Sequence, residues 1–227
     1  MNKFGKSIFN NMKFKNLLLL AFLLGSLVIN AQVRATVSSR TYDLETVKLT
    51  VDGFVITLNA DGSISDFNAP DLNGKLEYYD NQVFDKAKYG KLKSIGNVKI
   101  DYWDDSAFTS EKAGKLKSIG NISVDYWEDS AFTREKAGKV KKIGNLNVDY
   151  WSNDVIDNSR LGKLKTIGDI SIDYGTKDII DESKFQKLTK FGPVRLDYSN
   201  DKFIDKNRYG QLKSISGNSE KISVSVL

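Results

Sequence analysis

Two kinds of side chain recur in this chain at spacings that could support chemistry. Carboxylates gather at Asp101, Asp104 and Asp105, and again at Asp125, Glu128 and Asp129. Paired acids can serve as proton donor and base in glycoside hydrolysis, and a denser set of oxygens can hold calcium. Aromatic residues form two series: Tyr102, Tyr126, Tyr150, Tyr174 and Tyr198, and beside three of them Trp103, Trp127 and Trp151. Large aromatic faces stack on sugars or anchor protein partners. Histidine and cysteine are both absent. Their absence removes Ser-His-Asp and Cys-His catalysis, the usual zinc sites, haem ligation by either residue, and disulfides.

The acids argue against catalysis by their own distribution. Their cluster is reiterated and then lost, where Asn153-Asp154 and Thr176-Lys177 take its place. An active site is a single constellation, not a repeated one. Calcium loops need a particular glycine-and-acid spacing that is missing here. No glycine-rich loop precedes a helix to cradle phosphate. The chain is therefore expected to be no enzyme, with no cofactor and no metal. A divergent hydrolase using Asp104, Asp105, Glu128 and Asp129 is the alternative from the enzyme class. The aromatics leave two readings open. Either the tyrosines complete a core and the tryptophans cover the opposite face, or Trp103, Trp127 and Trp151 with Tyr102, Tyr126 and Tyr150 bind a ligand. In a sheet with two strands per repeat, equivalent rings would stand roughly 9–10 Å apart, near the length of a disaccharide.

The formal charge of +5 invites a nucleic-acid partner, but the excess lies at one end. Lys3, Lys6, Lys13 and Lys15 all precede Gln32, and no acid does. Residues 32–227 carry 30 basic and 29 acidic residues, a net of +1. No polyanion-binding balance remains, and no nucleic acid is expected. The basic end reads as a secretory signal peptide. A short basic region from Met12, itself a candidate start, leads into the apolar run Leu17–Ile29, and Ala31 suits cleavage. That run is shorter than the roughly 20 residues a membrane helix needs, so no stable span is expected after cleavage. No cysteine follows it, which excludes a lipoprotein anchor. Secretion without disulfides points to a bacterial envelope, periplasm or cell surface.

The elements that must position the aromatics and acids are tandem repeats of one unit. The stretch from Gly90, GKLKSIGNVKIDYWDDSAFTSEKA, recurs from Gly114, Gly138, Gly162 and Gln186, with a partial copy at Gly210 and a degenerate one before Gly90. Val98, Ile100 and Tyr102 alternate with Lys99 and Asp101, the pattern of a half-buried strand. Gly96-Asn97 suits a type II′ hairpin turn, and Pro193 at the second turn position fits a turn better than a strand. Two antiparallel strands per repeat follow, near 91–95 and 98–103. With Ile95, Val98, Ile100 and Tyr102 on one face, Lys91 and Lys93 fall on that face too. Leu92, Asp101 and Trp103 fall on the other, and the aspartates form a column balanced by lysines of adjacent strands.

Each connector carries an apolar pair such as Ala107-Phe108, expected to fold back as a cover over one face. It also carries Asp85, Thr109, Thr133, Asp157, Asp181 or Asp205 at a position suited to capping a short helical turn. A glycine, or Gln186, follows five residues on and suits a left-handed closure. Outside the array, VKLTV, Asp52-Gly53, FVITLN, Ala60-Asp61-Gly62 and SISDF read as two successive hairpins. Arg34 to Glu45 reads as an entry strand or a loose arm, and KISVSVL as a closing edge strand.

Hairpin units with a tyrosine-rich strand and a Gly-Lys-Leu start resemble YD-repeat (RHS-type) proteins. Here Asp101-Tyr102 precedes Gly114-Lys115-Leu116, in reversed order and at wider spacing. The unit is similar to MORN hairpin repeats in length, without their glycine-rich signature. Nearly the whole chain resembles uncharacterised secreted repeat proteins of Bacteroidetes type, whose signal peptides often end in Ala-Gln, as Ala31-Gln32 does. That resemblance implies secretion and no particular activity. The rival architecture is a leucine-rich-repeat-like solenoid with one strand per repeat. Leu92, Ile95, Val98 and Ile100 fit its opening, while Trp103, Gly175 and Ser199 occupy the place of its asparagine ladder.

The sequence therefore predicts an all-β, elongated antiparallel meander of 24-residue hairpin repeats with a short helical turn per connector. Its parts are a signal peptide (1–31), N-terminal strands and hairpins (32–65), tandem repeats (66–217) and a closing strand (218–227). The expected function is non-enzymatic: an extended β surface presented to a protein or glycan partner. A purely structural spacer or assembly component is the alternative.

Overall fold

The computed structural model describes residues 32–69, 72–105, 110–204 and 206–227. The signal-peptide expectation for 1–31 and the side chains of Ala107, Phe108, Thr109 and Asp205 lie outside them. The described chain is all-β, in two sheets.

The repeats build a twelve-stranded antiparallel meander. Its strands in chain order are β5 (Leu76–Tyr78), β6 (Leu92–Ile95), β7 (Val98–Tyr102), β8 (Leu116–Ile119), β9 (Ile122–Tyr126), β10 (Val140–Ile143), β11 (Leu146–Tyr150), β12 (Leu164–Ile167), β13 (Ile170–Tyr174), β14 (Leu188–Phe191), β15 (Val194–Tyr198) and β16 (Leu212–Ser216). Each full repeat gives two strands, so the hairpin array stands and the one-strand solenoid does not. Ile95 pairs with Val98 across the Gly96-Asn97 turn. Gly96, Gly120, Gly144, Gly168 and Gly192 have φ of +54 to +58°. Among the described residues the second turn residue is never left-handed. That is the type II′ signature, and it is why Pro193 is accepted there.

The pairing between repeats corrects the expected faces. Tyr102 lies opposite Leu116 and Asp101 opposite Ser118, so Lys117 is an extra residue in its strand. The same bulge recurs at every such junction, from Tyr78 opposite Leu92 to Tyr198 opposite Leu212. A bulge reverses the alternation of side chains. The leucine therefore joins Ile, Val and Tyr on the core face, where Leu116, Val140, Leu164 and Leu188 are buried. Leu92 belongs to this face, contrary to the plain alternation, and Lys93 belongs to the other.

A second sheet, in the order β17-β1-β2-β3-β4, comprises five strands. These are β1 (Gln32–Val37), β2 (Leu44–Val51), β3 (Phe54–Asn59), β4 (Ile64–Asn68) and β17 (Ile222–Val226). The residues from Arg34 thus begin in a strand, and the closing strand is an edge of this sheet, paired parallel to β1 from Val33–Ile222 to Val37–Val226. The buried side of this sheet (Val33, Ala35, Val47, Leu49, Ile56, Leu58) shares one apolar core with the inner face of the repeat sheet. Main-chain bonds join the layers: Val140 N–H to Gly62 O (2.9 Å) and Leu188 N–H to Tyr42 O (3.0 Å). Lys163 reaches Asp43 at 2.8 Å, and the Tyr42 and Tyr198 rings lie 5.6 Å apart.

This second sheet is the cover that was expected of the connectors. The described connector pairs instead point into solvent, because the inner face is already filled. Among the described residues, two connectors contain a 3-10 turn, Arg134–Lys136 and Lys206–Arg208. Asp157 and Asp181 do cap, accepting the N–H of Ser159 (2.7 Å) and Ser183 (2.9 Å). Thr133 does not; its hydroxyl donates back to Glu128 O at 2.9 Å. Each connector closes in the left-handed region, including Gln186 at φ +62°.

A side chain with a Cβ costs about 1 kcal/mol in that region. Gln186→Gly is therefore expected to raise unfolding free energy by about 1 kcal/mol in urea titrations, and Gly138→Ala to lower it by at least as much. At Gly138 a Cβ would also sit 2.8 Å from Lys115 Nζ. Equal stability of Gln186→Gly and the parent would refute the strain.

Candidate functional site

The two aromatic columns lie on opposite sides of the repeat sheet. Tyr102, Tyr126 and Tyr150 are buried in the core between the layers, as are Tyr174 and Tyr198. The Tyr150 hydroxyl donates to Val140 O (2.9 Å) and that of Tyr198 to Leu188 O (2.6 Å). A second column accompanies them. Lys91, Lys115, Lys139, Lys163 and Lys187 each extend along a tyrosine ring, 4.8 to 5.2 Å from its centroid. Each ammonium donates to the carbonyl that closes the next connector, as Lys139 does to Gly162 O at 2.6 Å. Burial pushes Lys91, Lys115, Lys139 and Lys187 below the ordinary lysine range. These lysines thus tie connectors to strands. A cleft of about 340 Å³ opens between β4 and the β7–β9 region, but the lysine it contains, Lys115, is held by Gly138 O.

Trp103, Trp127 and Trp151 stand on the outer face, half-buried. Each indole N–H donates to a carbonyl of the following repeat: Val124 O at 3.3 Å, Val148 O at 3.2 Å and Ile172 O at 3.3 Å. Two cations lie over each ring. Lys112 and Lys117 are 4.8 and 5.4 Å from the Trp103 centroid, Lys136 and Lys141 5.0 and 5.1 Å from Trp127, and Arg160 and Lys165 3.8 and 5.0 Å from Trp151. One cation of each pair is the extra residue of a bulge. Tyr79 occupies the same place in the degenerate first copy, between Lys88 and Lys93, and donates to Ile100 O at 3.2 Å. The sequence could have revealed Tyr79, since it holds the place of Trp103 one period earlier. At Gly175 the column lapses; a Cβ there would collide with the Lys184 carbonyl, and the bulge residue becomes Thr189.

The aspartate column runs beside the tryptophans, with a cation on each member. Lys88 holds Asp101 (2.9 Å) and Asp104 (3.0 Å), and Lys112 holds Asp125 (2.8 Å) and Glu128 (2.9 Å). Lys136 pairs with Asp149 at 2.7 Å, Arg160 with Asp173 at 3.1 Å and Lys184 with Asp197 at 3.2 Å. Burial pushes the Asp101 and Asp125 carboxyls up. The bonds from their lysines and from the following backbone N–H outweigh it and hold both below the usual range. The acids thus form a charge-balanced row, with a lysine between the two carboxylates of each early repeat. Among the described residues no group of three acids is placed to hold a metal ion.

The connector pairs, expected as a cover over one face, form an exposed row. Val83, Phe84, Phe132, Val155, Ile156, Ile179, Ile180, Phe203 and Ile204 are each more than 80% exposed. They recur at the repeat period, one pair per described connector. That recurrence was visible; their direction was not.

The buried tyrosines give a pH signature. Burial raises Tyr126, Tyr150, Tyr174 and Tyr198 above the ordinary phenol range. Burial and the Asp101 charge push Tyr79 up to about 12. A raised folded pKa gives stability that is fully present below the unfolded value near 10 and is lost as pH rises through the folded one. In an alkaline titration followed by tyrosinate absorbance, the column should therefore ionise together with loss of strand signal, above pH 10. Reversible ionisation of all ten tyrosines near pH 10 with the sheet intact would contradict the burial. No family, curated protein or solved structure matches this chain.

Proposed function

We propose that this chain is a non-enzymatic secreted or envelope repeat protein that presents its row of connectors to a protein partner. The observation behind this reading is the apolar pair left bare at every described connector from Val83-Phe84 to Phe203-Ile204. Monomers seldom expose a contiguous apolar patch beyond a few hundred Å², and a larger one marks an interaction surface. With two strands per repeat, successive pairs stand about 10 Å apart, so the row extends along the sheet.

Branched aliphatic and phenylalanine side chains match apolar protein surface better than sugar hydroxyls. Acids bracket the pairs: Asp154 and Asp157 flank Val155-Ile156, and Asp178 and Asp181 flank Ile179-Ile180. A partner segment with alternating apolar and basic residues complements such a row. Glycan stacking on the tryptophans has less support, since their rings lie under cations and their N–H groups are spent on carbonyls. Reiteration of one balanced arrangement, without a unique constellation, favours binding over catalysis. The basic and apolar stretch from Met12 to Ala31 favours export. Among the described residues no helix is long and apolar enough to cross a membrane.

The test replaces Phe132, Val155, Ile156, Ile179, Ile180 and Phe203 with asparagine, beside a control with Trp103, Trp127 and Trp151 changed to leucine. Crosslinking and mass spectrometry in the envelope fraction of producing cells should show the parental partner lost with the connector variant. It should persist with the tryptophan control and weaken as salt rises. Removing fully exposed apolar groups should shift stability by no more than about 0.5 kcal/mol per site. A connector variant that keeps every parental crosslink refutes the proposal.

A further inference from the structure

The repeat sheet ends on two unlike half-repeats. Its first strand, β5, has the place of a second hairpin strand, for Leu76-Glu77-Tyr78 stands one period before Ile100-Asp101-Tyr102. Its last, β16, has the place of a first hairpin strand, and Leu212-Lys213-Ser214-Ile215 repeats the residues of Leu92–Ile95 and Leu116–Ile119. Both edges therefore lack the same interaction, the hairpin pairing that sets Ser94 opposite Lys99 and Ile95 opposite Val98.

The side chains at these edges are core residues left uncovered. Leu76 and Tyr78 are 50% and 53% exposed, whereas their counterparts Val148 and Tyr150 are 1% and 0% exposed. Leu212 and Ile215 are half-exposed, whereas Leu164 and Ile167 are buried. Beside β5 the core opens into a cleft of about 570 Å³ whose lining includes Phe67, Leu72, Leu76, Leu92 and Ile95 beside Asp66, Asn68 and Asn73.

The backbone is poised in the same way. Gly96 N–H donates to Lys75 O at 3.0 Å and Tyr79 N–H to Lys91 O at 2.9 Å, so Lys75 and Tyr79 face β6. By alternation Leu76 and Tyr78 turn their N–H and C=O groups away from the sheet. In β16, Ile215 has the place of Ile95, whose polar groups face the missing strand. Across twelve alternating strands β5 and β16 run in opposite directions. A copy translated along the sheet brings them together antiparallel.

We propose that the β16 edge of one molecule pairs with the β5 edge of the next. Ser214 then stands opposite Lys75, as Ser94 stands opposite Lys99, and Lys213 opposite Leu76, so the meander continues across the molecular boundary. The contact is heterologous, and each addition leaves one edge of each kind free, which gives an open head-to-tail array. This goes beyond partner binding by the connectors, which lie outside the junction.

Sedimentation velocity on the full chain over a wide concentration range should reveal a ladder of oligomers growing with concentration. Leu76→Pro and Ile215→Pro each block one edge while sparing the internal ladder, since both N–H groups point outward. Each variant alone should remain monomeric. Their equimolar mixture should stop at a dimer, because one retains β16 and the other β5. A parent that is monomeric at every concentration overturns the proposal, as do single variants that assemble like the parent or a mixture without dimer. If a proline variant loses its far-ultraviolet strand signal, Leu76→Asp and Ile215→Asp apply the same logic through charge. The connector variant should assemble normally, which separates this proposal from the partner-binding one.

Discussion

Leucine and isoleucine three residues apart cannot share a face of an unbroken strand, because side chains alternate with period two. Every repeat here has that spacing, as in Leu116 and Ile119, and every repeat resolves it with one extra residue at the junction with its predecessor. The bulge gathers leucine, isoleucine, valine and tyrosine on one side. It also ejects one residue, usually lysine, to the other. The inner face, the outer cation column and the place of the tryptophans between cations all follow from that one inserted residue.

Magnitudes decide which side of the sheet holds the fold. A fully buried aliphatic or aromatic side chain contributes about 1.5–3 kcal/mol, and the inner face supplies several per repeat. Partly exposed ion pairs contribute about 1 kcal/mol or less, and a cation over an exposed ring about 0.5–1 kcal/mol. The outer columns of aspartate, lysine and tryptophan thus add local order to a sheet that is held from within. A broad sheet with one apolar face also needs a second layer. The N-terminal strands and the C-terminal strand β17 supply it, which ties both ends of the described chain into one structure.

Among the described residues, the connectors and the two edges of the repeat sheet leave apolar or hydrogen-bonding groups bare. Both kinds of surface repeat or complete the 24-residue unit, so any partner that fits one unit meets a series of them.

The sequence by itself determined the repeat length, the Gly-Xaa turns, two strands per repeat and the presence of tyrosine, tryptophan and aspartate columns. Those are local matters, set by backbone conformation and by alternation over a few residues. It also placed Asp101 and Trp103 on the side opposite Tyr102, since no bulge intervenes between Val98 and Trp103. It misplaced Leu92 and Lys93, because a bulge depends on which residue lies across the pairing, and the partner strand is a repeat away. Only the tertiary structure decided what covers the inner face. VKLTV and KISVSVL read equally well as further strands of one meander. Their selection as a separate layer depends on which buried surfaces fit together across the core, and once that layer is in place the connector pairs have nothing left to cover and stand in solvent.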